Sequence, residues 1–571
     1  MSPIGKIKRG EFPRTFVPEN ADLGDWAQIE PLFVRLLEEE PKTAKELETW
    51  LLKCSELGSC IDEEGSIRYV KMTCYTDDAA AEKAYLHFIQ EIVPGCQPYG
   101  DKLNRKYINH PQSKALAKGK YFVFDRNTRK AVEMYRDENI PLFVELAKLG
   151  QQYQKTVGAM MVQFEGKEQT LQQMSVYLEK NDRPLREKAW TLIINRRLQD
   201  KETLENYFDA MLKLRRKVAA NAGYGNFRDY TFDVMMRFEY TPKDCEKFHD
   251  AVEKLIVPAV CKIQQKRKKT MKIDSLRPWD LAVDPLGRPP LKPFETSEQL
   301  SDGCQRIFAS LSAELGVKFQ KMIDFNLLDL DSRKAKAPGG YQMTMQEARL
   351  PFIFMNAVGV DRDIWTLLHE GGHAFHTFAS RQEPLLDYRG APLEFAEVAS
   401  MSMELLGMPH LKQFYSDENA KRSANLHLEE IINLLPWIAT VDAFQQWLYL
   451  NPHHTREERK KHWLSLMDRF GGIIDWTGFE EARAYGWHRQ LHIFLHPLYY
   501  IEYGIAQMGA LQIWLRAKKD RQTALGDYLK ALSLGASATL PKLFEAAGIR
   551  FDFSHETVEP LSSAVLQEIG A

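Results

Sequence analysis

The chain has 571 residues, 44% of them hydrophobic and 27% charged, with a formal net charge of -2. At about 150 residues per domain that length implies three or four structural units, and the apolar fraction excludes a generally disordered chain. The near-neutral charge gives no electrostatic reason to bind nucleic acid or an anionic membrane. Seven cysteines, an odd number without a C-x-x-C pair, exclude a cysteine-held metal cluster and suit free thiols in a reducing compartment.

The amino-terminal stretch MSPIGKIKRGEFPRTFVP carries positive charge but no apolar segment behind it, so a secretory signal is not expected and a cytoplasmic protein is. Residues 25–57, 79–92 and 183–220 repeat apolar side chains at three- and four-residue spacing, which predicts helices. Between them, residues 156–178 read as two short extended pieces around Glu165-Gly166-Lys167, leading into a helix. A further helical block spans 242–272, and its basic run Lys262–Lys272 reads as a solvated helix face. The Pro-rich stretch 277–293 cannot continue a helix and reads as a loop packed on the body. After the break AKAPGGY (335–341), the stretch 342–356, which includes LPFIFMN (350–356), is the best strand candidate, with Pro351 placing it at an edge or a strand start. An edge strand can bind a peptide by adding it to the sheet. From Asp361 to about Gly548 the pattern is helical again. The apolar stretch 491–515 carries His492, His496, Glu502 and Gln507, which are costly in lipid, so a buried helix lining a site is expected rather than a membrane span.

Chemistry concentrates at His369-Glu-Gly-Gly-His373. Residues four apart share a helix face, so both imidazoles can reach one zinc ion, with Glu370 beside them as general base. Asp361 and Asp363 suit the start of that helix. Two glycines cost about 1 kcal/mol each relative to alanine inside a helix, which suggests that another backbone or a substrate comes close. A catalytic zinc commonly takes three protein ligands. The next helical segment, 391–407, offers Glu394, Glu397 and Glu404 on roughly one face, and spacing alone does not choose among them. His376, one turn after His373, reads as a packing residue or as a group supporting the ligands.

With those residues in view, the chain resembles the thimet oligopeptidase and oligoendopeptidase F family of M3 zinc peptidases, nearest the oligoendopeptidase F-like branch. HEGGHAFH is similar to the family's H-E-x-G-H-x-x-H, and Glu397-Val-Ala-Ser-Met-Ser-Met-Glu404 is similar to its downstream glutamate helix. The resemblance selects Glu397 as the third ligand and makes Glu404 a residue that supports a ligand. Segments 221–232, 277–280 and 337–341 also resemble family landmarks, so the likeness covers roughly 150–560. It implies a helical N-terminal region over 1–150 and a zinc-metallopeptidase region over 151–571.

The implied fold is mainly α, an elongated gluzincin-type body with a deep substrate channel and a small β element beside the active-site helix. The implied cofactor is one Zn2+ per chain. The family also implies a histidine and tyrosines across the cleft, here His492, Tyr500 and Tyr503, stabilising the oxyanion. Gly340, Tyr341 and Tyr499 are expected to touch substrate. Only one of Tyr499 and Tyr500 is expected to point inward, since one helix face cannot hold both, and His496 stands where thimet-type members have tyrosine. The implied function is internal cleavage of short unstructured oligopeptides. A zinc exopeptidase and a non-catalytic peptide-binding protein are the alternatives, and oligomeric state is left open.

Overall fold

The computed structural model describes residues 11–337 and 339–570. The amino-terminal decapeptide of the leader reading and Pro338 of the APGGY landmark lie outside the described residues. Helices account for most of the chain, so it is mainly α, as its periodicity predicts. Two compact units can be distinguished. One comprises the chain through Glu133, Leu291–Ala424 and Gly509–Phe551; the other comprises Met134–Pro290, Asn425–Met508 and the chain from Asp552.

In the first unit, the predicted helix over 25–57 is two, Trp26–Glu38 and Ala44–Cys74. Glu39–Thr43 separates them, and Thr43 caps the second through a hydrogen bond from the Glu46 N–H at 3.2 Å, with Glu46 reaching back to the Thr43 N–H. This unit holds a three-stranded sheet in the order β3 (Leu328–Asp331), β5 (Leu350–Ala357), β4 (Tyr341–Met345). β5 pairs parallel with β3 and antiparallel with β4. The segment 350–356 of the expected stretch therefore lies in the central strand; Pro351 is tolerated because it sits at its second position. The edge is β4, which carries Tyr341 and lies largely within the expected stretch 342–356, so that stretch is two strands rather than one; β3 was not foreseen. LDLD and YQMTM are too short for a period to declare itself.

The second unit contains the expected hairpin, β1 (Met161–Phe164) paired antiparallel with β2 (Lys167–Thr170). Its two-residue loop has positive φ at Glu165 (51°) and Gly166 (78°), the twist that suits a tight hairpin. The block 183–220 is two helices, Arg183–Gln199 and Lys201–Asn221. The basic run lies on the helix Val257–Met271, with Ile263 and Gln264 buried and Lys262, Lys266 and Lys269 exposed, as a solvated face requires. The Pro-rich stretch packs through Trp279 against Trp190 and Ala482. Asp280, fully buried, accepts from Arg186 at 2.9 Å and Arg183 at 2.8 Å.

Two further differences concern the carboxyl-terminal third. Residues 491–515 are not one helix but Leu491–Leu495, a turn, and Ile501–Lys519. A last helix, His555–Ile569, extends past the expected end near Gly548. Among the described residues no helix is long and apolar enough to cross a membrane.

Candidate metal centre

The His369–His373 helix spans Asp361–Ser380. Its start is fixed by Asp363, whose Oδ2 accepts the N–H groups of Val358, Gly359 and Val360 at 2.9, 2.9 and 3.0 Å. Three backbone donors of the segment entering the helix are thus satisfied by one carboxylate, which reaches back from the third helical position to the N-cap Val360. Asp361 takes hydrogen bonds from Tyr415 and Ser423, both at 2.6 Å. Ile364, Leu367, Leu368 and Phe375 are fully buried on the core side, where Phe375 meets the Phe308 ring edge-on at 4.8 Å. Each such side chain contributes about 1.5–3 kcal/mol of burial.

The two glycines have separate reasons. A Cβ on Gly371 would come within 2.6 Å of the Phe308 ring. One on Gly372 would come within 2.6 Å of the Ala399 carbonyl oxygen and the Ser400 Cα. The close backbone foreshadowed by HEGGH is therefore the helix Leu393–Gly407, whose first turn begins just after Pro392. This contact at Gly372 seats Glu397 opposite the two histidines.

Among the described residues, one group of histidine, cysteine and acidic side chains could hold a metal ion: His369, His373 and Glu397, with ligand atoms within 4.8 Å of one another. Glu397 Oε2 lies 3.4 Å from His369 Nε2 and 3.9 Å from His373 Nε2. Tetrahedral bonds of about 2.0–2.1 Å place donor atoms roughly 3.3 Å apart, so the spacing fits an ion of zinc's size. His369 Nδ1 donates to Glu404 Oε1 at 2.6 Å, which leaves Nε2 turned to the centre. A carboxylate behind a ligand histidine, fixing its tautomer, is the usual support of such a site. Glu394 and His376 are outside the group. His376 is buried, with its ring 6.3 Å from that of Phe395. Sequence reasoning did not single out Ser400, which donates to Glu397 Oε2 at 3.1 Å; its place three residues after Glu397 on one helix was the available signal.

The electrostatics follow from crowding these groups together. Burial opposes charge on His369, but Glu397 and Glu404 outweigh it and hold its pKa well above the ordinary value. Burial raises the Glu397 carboxyl, and His369 and His373 overcome that and bring it down to about 2. Burial pushes His373 down to about 4 and His376 to about 3. Glu370 is pushed up to about 7 by burial, helped by Glu397 and Glu404 and opposed by His369 and by the Gln342 N–H of β4. β4 is tied to the same helix by Thr344 and Thr377, whose hydroxyls are 2.8 Å apart. Tyr341 turns its ring onto Phe354 at 4.8 Å and its hydroxyl to Thr73 at 2.6 Å. Gly340 precedes it, where a Cβ would stand 3.4 Å from the Phe354 carbonyl oxygen.

In the second unit the structure gathers His492, Tyr499, Tyr500 and Tyr503. The His492 ring centre lies 5.9, 4.9 and 5.9 Å from those of the three tyrosines in that order. The difficulty of placing Tyr499 and Tyr500 on one helix disappears, because both precede the helix Ile501–Lys519. The turn before it has Leu498 at φ 62°, held by the Gln445 side chain on its N–H at 2.9 Å and by Arg237 on its carbonyl at 2.8 Å. Arg237 is itself paired with the buried Glu502 at 2.7 Å. Gln490, a residue the sequence did not suggest, sits 2.7 Å from His492 Nδ1 and accepts from Trp437 Nε1 at 2.9 Å. His496 is exposed.

A family model described as peptidase family M3 matches residues 176–562, and one for the M3 N-terminal domain matches 18–148. The chain belongs to peptidase family M3. The second match shows that the first 150 residues carry a family signal even though no short motif marks them. An oligoendopeptidase F homolog of Borreliella burgdorferi is 22% identical over 64% of this chain and 61% of its own length. Oligopeptidase PepF of Bacillus subtilis is 22% identical over 65% of this chain and 55% of its own. The chain thus spans less than two thirds of these M3 relatives. A solved structure of a putative oligoendopeptidase F superimposes with a TM-score of 0.90 at 26% identity, covering 98% of this chain and 99% of that one. The structure of Pz peptidase A with an inhibitor does so with a TM-score of 0.89 at 27% identity, covering 99% of each.

Proposed function

We propose that the chain is a zinc-dependent oligoendopeptidase, cleaving internal bonds of short unstructured peptides. The observation that carries this reading is the group His369, His373 and Glu397 with Glu370 buried beside it. Membership of peptidase family M3 and the likeness to Pz peptidase A support it. When bound, the metal supplies Lewis acidity, which acidifies water and polarises a carbonyl.

Glu370 accepts a proton on its carboxylate and returns it to the leaving amine; a carboxyl poised near neutrality suits both transfers. Glu404 holds the His369 ring in its ligating orientation, and Ser400 does the same for Glu397. The unpaired edge of β4, with Gly340 just before it and Tyr341 in it, takes an extended peptide by strand addition. His492, Tyr500 and Tyr503 supply hydrogen bonds to the oxyanion and Tyr499 contacts substrate; the family resemblance and the clustering of these rings support those roles. Residues 1–150 serve as the N-terminal helical region and 151–571 as the catalytic region. The seven free cysteines favour a cytoplasmic setting.

Mass spectrometry of end-blocked and free peptides, incubated with and without a chelator, tests the reading. Chelator-sensitive internal cuts in blocked peptides are expected. Removal only of terminal residues would instead make it an exopeptidase, and intact peptides from folded, metal-loaded protein would make it a binding protein.

A further inference from the structure

The second unit has a cavity of about 450 Å³ whose wall includes none of the metal group, His492 or the tyrosines beside it, although Trp437, the donor to Gln490, stands in it. Trp190, Trp437, Trp463 and Trp476 stand in its wall, together with aliphatic side chains such as Ile194 and Ile263. Four arginines also line it, and two have partners. Arg483 donates to Asp468 at 2.7 Å. Arg267 donates to the Asp280 carbonyl at 3.2 Å and also to that of Val283. The side chains of Arg197 and Arg489 make no hydrogen bond or ion pair among the described residues. Arg489 lays its guanidinium over the Trp437 ring at 4.8 Å, a stacking that leaves its N–H edge open.

Glu429 is the single carboxylate in the described wall, and its charge is drawn toward Arg267 and Lys266. Both unpartnered arginines are crowded by protein, which pushes their pKa down, and Arg489 adds to the effect on Arg197. Arg489 is nonetheless exposed, so its side chain faces open space in the hollow. Two unpaired cations in an apolar hollow are unfavourable until an anion joins them. A small inorganic ion would leave the tryptophan walls uncovered.

We propose that Arg197 and Arg489 form a receptor for the carboxylate of an organic acid whose apolar body fills the tryptophan-walled cavity. The acid is either the free C-terminus of a peptide, which rests on the peptidase reading, or a small free carboxylic acid. Guanidinium pairs match a carboxylate with parallel, charge-assisted hydrogen bonds, and the rings above and beside it take up an aromatic or aliphatic side chain.

The test uses full-length Glu370→Gln protein, so that peptides are not consumed, and reads intrinsic tryptophan fluorescence. The probes are N-acetylphenylalanine, its amide, and a tryptophan-free octapeptide ending in phenylalanine as acid and as amide. The acid should bind about ten-fold or more tighter than the amide, the loss expected when a charge-assisted hydrogen bond is removed. Arg197→Gln and Arg489→Gln should each erase that preference without lowering the melting temperature, since each relieves a repulsion. Should one variant not fold, the other decides. A preference shown by N-acetylphenylalanine assigns the small acid; one confined to the octapeptide assigns the C-terminus. Equal binding of acid and amide, or a preference surviving both substitutions, would overturn the receptor. Hydrolysis by the unsubstituted enzyme is scored separately, so loss of the peptidase reading leaves the N-acetylphenylalanine result standing.

Discussion

The metal group and the His492–tyrosine cluster are built by different means. His369, His373, Glu397 and Glu404 stand on two regular helices pressed together at Gly372, so their relative positions follow from helix geometry and one close contact. His492, Tyr499, Tyr500 and Tyr503 are spread over a short helix, a turn and the start of another helix. Their positions depend on Leu498 in a left-handed conformation and on Arg237, Gln445 and Glu502 around it. A helix pair transmits a local change to every ligand at once. A turn lets one aromatic ring be removed while its neighbours stay.

Breaking the helix-borne group should therefore have the largest effect. His373→Ala removes one of the three proposed ligands, and metal analysis should find the ion lost and peptide cleavage with it. Glu370→Gln should lower kcat by about 10³-fold, within the usual range for a general base, while metal content is unchanged. Near-normal turnover in that variant would exclude the proton-transfer role. Tyr500→Phe and Tyr503→Phe sharpen the contrast: each should lower kcat by about 10²-fold if its hydroxyl meets the oxyanion. Their melting temperatures should barely move, and a tyrosine whose loss changes only stability is a packing residue. Glu404→Gln should weaken metal binding by about 10-fold or more, measured by competition with a chelator, because the His369 ring loses its ionised partner. Smallest in chemistry but informative is Gly372→Ala. Its Cβ would meet backbone rather than a flexible side chain, so it should destabilise the protein by about 1–3 kcal/mol and loosen the metal together. An unaffected melting temperature would show that the helix pair is not set by that contact.

What was legible in the sequence divides along the same line. The spacing of His369 and His373 and the run of carboxylates from Glu394 to Glu404 needed only the helical period, and the structure then leaves Glu394 out of the metal group. HEGGH also announced a close neighbour, and the structure identifies it as the Ala399–Ser400 backbone. Tertiary pairing was not legible. β3 and β4 are four and five residues long, and β5 became the central strand through pairing with segments on both sides of it. The turn at Leu498 gave no signal, because leucine is not a residue that favours positive φ; the side chains of Arg237, in a loop, and Gln445, on the helix Asp417–Leu450, hold it there. Gln490 was equally silent, since its role exists only relative to His492, whereas Ser400 could have been found from its place one turn after Glu397.

The most direct test of the metal-centre assignment is metal content per chain, measured by mass spectrometry on the unsubstituted protein, Glu370→Gln and Glu397→Ala purified alike. The account predicts about one zinc ion per chain in the first two and none retained in the third. Loss of metal from Glu370→Gln, or full retention by Glu397→Ala, would contradict it.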